Sequence, residues 1–279
     1  MENCRPNALF RAANTTRAWA HLMHYRYPWE ILDPLRQIIA ALGRDLPAAE
    51  FEERGEGIFI SRRASVADSA CIHSPCIIEE GAQVRHGAFL RGGTLIGRGA
   101  VVGNSCELKN CILFDGVQVP HFNYVGDSIL GFGAHLGAGA ITSNVKCDRS
   151  EVYVRVGEQR FPTGRKKLGA MLGDGVEVGC NAVLNPGTVV GIGTRIYPLC
   201  SVRGYIPPQC ILKGSETVRR RDAGMRGDAG DAGDAGMRGD AGDAGDAGTR
   251  GRGDAARGLS RKPPLTPKAF WGKDKKTKG

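Results

Sequence analysis

The chain has 279 residues, 41 of them Gly, with 24% charged and only 6% aromatic residues. So little ring surface excludes an ordinary core built on Phe, Tyr and Trp, and no apolar run approaches the roughly 20 residues of a membrane span. The net charge is +9, but from Lys213 onward 16 Lys and Arg face 10 Asp and Glu, so +6 of it belongs to the C-terminal segment and it does not mark a nucleic-acid binder.

Residues 1–57 precede any repeat and carry no signal-peptide-like apolar region, so a cytoplasmic protein is expected. Within them PWEILDPLRQIIAALG, residues 28–43, places Ile31, Leu35, Ile38, Ile39 and Leu42 on one helical face, with Gly43 as the stop. The helix is expected to cap the open end of the domain that follows, where strand edges would otherwise be unpaired.

That domain spans residues 58–212. Aliphatic residues recur at every sixth position through Ile60, Val66, Ile72, Ile78, Val84, Leu90, Ile96, Val102 and Leu108. Four residues after each of the first eight stands something small, such as Ala82, Ala88 or Cys106. After two five-residue steps the beat continues through Leu113, Val119, Val125, Leu130 and Leu136, and it resumes from Leu172 to Val202. A period of six fits neither a helix nor a flat strand. It fits an all-β fold, a left-handed parallel β-helix in which three hexads make a triangular coil and coils stack about 4.8 Å apart.

Residues 143–171 break the rhythm and contain VYVRVGEQRF, which reads as a hairpin; so long an insertion is expected to serve a partner subunit or a site. From 213 to 279 the chain is low in complexity. MRGDAGDAGDAG occurs at 225–236 and again at 237–248, and Gly falls on every third position from Gly224 to Gly251. A flexible tail is expected, with a short collagen-like bundle as the alternative. The nine cysteines form no CxxC pair and no zinc spacing, which points to a reduced compartment and no metal site.

The stretch HFNYVGDSILGFGAHLGAGAITSN, residues 121–144, resembles the HLxYLGDxxIGxxxNIGAGxITxN segment of one acetyltransferase family. That family is the bifunctional N-acetylglucosamine-1-phosphate uridyltransferase/glucosamine-1-phosphate acetyltransferases, and the likeness to their C-terminal domain covers residues 58 to about 205. It implies a homotrimer with sites between prisms, acetyl-CoA as co-substrate and an amino-sugar phosphate as acceptor. Residue by residue it implies His121 as general base, and Arg91, Lys109, Tyr124, Asn144 and Lys167 at the sugar phosphate. It further implies Ala138 and Cys180 beside acetyl-CoA.

Arg91 and Lys109 are one 18-residue coil apart, so two cations stack on one face, either as solvated surface cations or, as the resemblance implies, with a dianionic phosphate between them that relieves their repulsion. Acetyl transfer to an amine needs a base, and histidine suits neutral pH. Backbone N–H groups at Gly137 to Gly139 are candidates for the oxyanion.

Two departures from the family's pattern fall where the acceptor would lie. His135 replaces the family's asparagine, at the substrate or at a trimer seam, and Val145 stands where NYDG has its tyrosine. The uridyltransferase half with its glycine-rich loop is missing, so a stand-alone branch is expected, partnered by a separate nucleotidyltransferase. The competing reading is a non-catalytic β-helix that binds a sugar phosphate or nucleotide sugar. A zinc carbonic anhydrase on the same prism would need three converging histidines, and the spacings of His73, His86, His121 and His135 do not match.

Overall fold

The structure is a computed structural model that describes residues 1–11, 13, 15–214 and 217–220; the Gly-Asp-Ala repeats lie outside the described residues. The expected left-handed parallel β-helix is the architecture observed. Face one stacks Ile58–Ser61, Cys76–Ile78 and Thr94–Ile96 in parallel. Face two stacks Ser65–Val66, Gln83–Val84, Val101–Asn104, Gln118–His121 and His135–Leu136. Face three begins with Cys71–Ile72 and Phe89–Leu90 and continues through Ile141–Thr142 to Ser201–Val202.

The hexad aliphatics point inward as their period requires: Val84, Leu90, Ile96, Val102, Leu108, Val119, Val125 and Leu136 are at most 1% exposed, and Ala82, Ala88 and Ala100 fill the corners. The five-residue steps mark two continuous strands, Glu107–Leu113 and Tyr124–Leu130, that turn from face three into face one without a loop. Each turns on a single left-handed residue, Asn110 at φ 49° and Asp127 at φ 48°. Asn and Asp tolerate that conformation better than other non-glycine residues. One residue is thereby saved per corner.

Residues 28–44 do not cap the open end. Pro34, which has no N–H to continue the ladder, separates a 3-10 turn at Pro28–Leu32 from a helix at Leu35–Arg44. The helix packs across the outside of face one, against Cys76–Ile78, Thr94–Ile96 and Glu107–Leu113. Gly43 is no stop either: it lies inside the helix, where a Cβ would stand 2.2 Å from the Phe59 ring. Edge strands close the ends instead, Phe51–Glu53 running antiparallel to Ile58–Ser61 and Thr217–Arg220 antiparallel to Cys210–Lys213.

The reason is a second apolar stripe. On face one the outward residues Ile77, Leu95, Ile112, Ile129, Met171 and Val189 are aliphatic and at most 1% exposed. Left bare, each would forfeit about 1.5–3 kcal/mol of burial. The N-terminal residues cover them. Phe10 stacks on Phe114 with ring centroids 4.8 Å apart, and Arg17 forks onto the buried Glu79 at 2.5 and 3.0 Å. Leu9 O accepts from Asp174 N at 3.0 Å. Faces two and three keep polar outward residues such as Gln83, Gln118, Glu107 and Tyr124.

Leu95→Ala is therefore expected to cost about 2–4 kcal/mol although Leu95 points away from the prism axis. Gln83→Ala, the outward equivalent on face two, should stay within about 0.5 kcal/mol. Urea unfolding of the two variants distinguishes a covered face from a bare one.

Candidate active site

Face three and its two corners gather most of the residues singled out in the sequence. The backbone ladder gives the order at the corner with face two. Carbonyls of His86, Asn104, His121, Ala138 and Cys180 accept in turn from Ser105, Phe122, Gly139, Asn181 and Leu199, at 2.8–3.2 Å. His121, Ala138 and Cys180 thus occupy the same place on successive rungs, about 4.8 Å apart. At the opposite corner Arg91, Lys109 and Gly126 follow one another in the same way. Tyr124 projects between the corners, one rung beyond Glu107.

His121 ends the strand Gln118–His121 and is exposed. Its backbone is fixed from beneath by Asn123, 2% exposed, whose Oδ1 accepts from His121 N at 3.0 Å. Asn123 Nδ2 donates to Gly137 O at 2.8 Å and Ala140 O at 3.0 Å, which ties this rung to the next. The imidazole itself makes no hydrogen bond to the described residues. Gly137 N donates to Val178 O and Gly139 N to His121 O, so neither amide is available to an oxyanion. Of the three candidate amides only that of Ala138 has no acceptor among the described residues.

The polar cluster at the Arg91–Lys109 corner centres on Asp127, a residue that sequence reasoning did not single out. Its carboxylate, 4% exposed, accepts from Asn110 Nδ2 at 2.9 Å and from Asn144 Nδ2 at 2.6 Å, with Lys109 Nζ 3.7 Å away. Asn144 also donates to the Tyr124 hydroxyl at 3.1 Å. Gly126 makes that contact possible, since a Cβ there would stand 2.4 Å from the Tyr124 hydroxyl and 2.8 Å from Asn144 Nδ2. Burial pushes the Tyr124 phenol above its ordinary pKa, and the Asp127 charge adds to the rise.

The two stacked cations are not bare. Arg91 Nη1 lies 2.7 Å from Glu107 Oε1 and Lys109 faces Asp127, so each brings a carboxylate. Arg91 and Glu107 are both well exposed, and surface pairs of this kind are worth only about 0–1 kcal/mol. The Arg91–Glu107 pair is thus weakly held, whereas Asp127 is fixed by two amides.

Lys167 lies where the insertion returns, one residue before Leu168, whose N–H donates to Asn144 O at 2.9 Å. His135 stands apart: it projects from face two, with Nδ1 3.2 Å from Glu177 Oε2, a contact that holds the Glu177 carboxyl below its usual range. The protomer therefore gathers Arg91, Lys109 and Asn144 at one corner, with the Lys167 backbone beside Asn144, sets His121, Ala138 and Cys180 at the other with Tyr124 between them, and leaves His135 out. Among the described residues no three His, Cys, Asp or Glu side chains come together as metal ligands, and no helix is long and apolar enough to cross a membrane.

The family model of the GMPPB C-terminal domain matches residues 72–190. The bifunctional sugar-1-phosphate nucleotidylyltransferase/acetyltransferase of Sulfurisphaera tokodaii is 32% identical over 159 residues, which is 50% of this chain and 40% of that protein. The bifunctional protein GlmU of Methanocaldococcus jannaschii is 33% identical over 213 residues, 70% of this chain and 48% of that protein. The chain thus spans less than half the length of either relative. Among solved structures, the acetyltransferase domain of PglB from Neisseria gonorrhoeae shows 18% identity and a TM-score of 0.28, over 58% of this chain and 56% of that one.

Truncating Asp127 leaves two buried amides and an ammonium group without their acceptor. Asp127→Ala is expected to lower stability by about 2–4 kcal/mol, read from denaturant midpoints. A loss below about 0.5 kcal/mol would mean that the carboxylate does not organise the corner.

Proposed function

We propose that this chain, which is related to the GlmU-type bifunctional nucleotidylyltransferase/acetyltransferases and corresponds to their C-terminal acetyltransferase part, is an acetyl-CoA-dependent N-acetyltransferase. Its acceptor is an amino-sugar phosphate, with glucosamine 1-phosphate the first candidate. The observation that carries the reading is the shared face: His121 heads one column toward Ala138 and Cys180, and the Lys109–Asp127–Asn144–Tyr124 group stands across from it.

In the reaction the amine nitrogen attacks the thioester carbonyl while His121 takes the amine proton, a C–N bond forms, and collapse breaks the C–S bond to release CoA. CoA leaves as the thiol after taking up a proton. Arg91 exchanges Glu107 for the sugar phosphate, Lys109 and Lys167 add charge, and Asn144 and Tyr124 orient the ring. The Ala138 amide is the donor offered to the developing oxyanion. A homotrimer completes the site, and face one, already covered by its own N-terminal segment, leaves faces two and three for the neighbours. His135 on face two would then reach the site from an adjacent protomer.

One observation favours a second reading, a sugar-phosphate or nucleotide-sugar binding module working with a separate nucleotidyltransferase. A general base is normally held by a second group, and within this chain no described residue hydrogen-bonds the His121 imidazole.

Release of CoA thiol from acetyl-CoA and glucosamine 1-phosphate decides between them. Turnover that falls by about 10²-fold or more in His121→Ala is the expected result. Binding of the sugar phosphate without turnover, equal in both proteins, would establish the binding module.

Cys180 and Cys147 are both exposed, but only Cys180 stands in the His121 column. Acetyl-CoA is therefore expected to slow alkylation of Cys180 by iodoacetamide and to leave Cys147 unchanged, as followed by peptide mass spectrometry. Equal protection of both, or of neither, would remove the donor from this column.

A further inference from the structure

The insertion builds a second charged site from residues that the acetyl-transfer reading leaves unassigned. Its hairpin pairs Tyr153–Val156 with Gln159–Pro162, and it docks on its own prism through Val152 and Val154, both fully buried. Two glycines let the backbones meet. A Cβ at Gly187 would lie 2.7 Å from Tyr153 O, and one at Gly204 would lie 2.8 Å from Arg155 O. With the valines turned inward, alternation along the strand turns Tyr153 and Arg155 outward.

Between hairpin and prism lies a pocket lined by Lys146, Tyr153, Arg155, Arg160, Pro186 and Arg203, without a carboxylate. Arg155 and Arg160 are direct cross-strand partners, an arrangement of like charges that destabilises a two-stranded ribbon. Arg203, one turn of the prism above Asn185, adds a third guanidinium. None of the three makes an ion pair with a described residue. Of the lining cations Lys146 is already countered, by Asp148 at 3.6 Å, whereas the Glu151 carboxylate accepts from Gly164 N at 2.6 Å. The Tyr153 ring is 42% exposed beside this cluster, with Lys146 Nζ 6.0 Å from its centroid.

We propose that this pocket binds the diphosphate of a nucleotide, with Arg155, Arg160 and Arg203 on the phosphate oxygens and the Tyr153 ring against the base. Three guanidinium groups held together at the cost of their mutual repulsion fit an anion of two or more charges, which arginine contacts through paired N–H groups. An aromatic ring beside them suits a base, since stacking on a side chain adds about 1–3 kcal/mol. The three guanidinium groups are not among the candidate active-site residues: Arg203 lies on the corner of Arg91 and Lys109 but four rungs beyond Lys109, about 19 Å at strand spacing, and the pocket approaches that site only through Pro186, one rung beyond Asn144. It does not depend on the acetyltransferase reading, because binding is measured without turnover.

Two sources carry this chemistry, a free or sugar-linked nucleoside diphosphate and the nucleotide end of coenzyme A. The test is calorimetric titration of the full chain with UDP and, separately, with CoA, beside Arg155→Gln/Arg160→Gln and Arg203→Gln. At least tenfold weaker binding of UDP, of CoA or of both in the two variants is expected, and which ligand responds identifies the source. The side chains are exposed and repel one another, so the unliganded variants should melt no lower than the parent protein. Absence of binding by either ligand to the parent protein, or equal affinity in all three proteins, would overturn the proposal.

Discussion

A single buried carboxylate organises the corner on which the candidate site depends. Asp127 turns the strand Tyr124–Leu130 from face three into face one, and in that left-handed conformation its side chain faces Asn110 on one rung and Asn144 on another. A buried charge without partners would cost several kcal/mol, and here two amides and Lys109 satisfy it. Asn144 then holds the Tyr124 hydroxyl, and the insertion returns to the same place through Leu168 and Gly169, whose N–H donates to Asp127 O at 2.9 Å. The irregularity in the coil and the polar cluster are one feature.

The prism divides labour among its faces by what projects outward. Face one presents an aliphatic at each rung and is covered by the chain's own N-terminal segment, pinned by the Arg17–Glu79 pair and the Phe10–Phe114 contact. Face three presents Glu107 and Tyr124 between the two corners that carry the candidate site residues. Face two presents Gln118, His135 and Glu177. Inward positions vary little, because an interior filled by one aliphatic and one small residue per side accepts few alternatives. Function on such a scaffold is written in outward and corner positions.

Much of this was legible beforehand. The hexad beat specifies the coil because each inward aliphatic must fall on the same side, and the coil length places Arg91 above Lys109 and His121 in line with Ala138. The outward stripe of Ile77, Leu95, Ile112, Ile129, Met171 and Val189 was equally present, at intervals of one coil, but it is masked by the inward beat beside it. The N-terminal segment therefore forms a jacket on face one where the inward beat alone predicts an end cap. Asp127 and Glu107 were overlooked because a carboxylate next to a cation in space need not be next to it in sequence: Glu107 lies 16 residues from Arg91 and Asp127 18 from Lys109.

The coil, the inward core and the places where the coil is shortened follow from local spacing and from the volume of side chains at fixed intervals. Folding adds which cations are already countered, that Gly137 and Gly139 give their amides to the ladder, that His135 stands outside the group, and that Arg155, Arg160 and Arg203 converge. Each of those outcomes depends on where a rung or a hairpin lies relative to segments distant in the chain. Electrostatic pairing and hydrogen bonding act across space, and no period in the sequence records them.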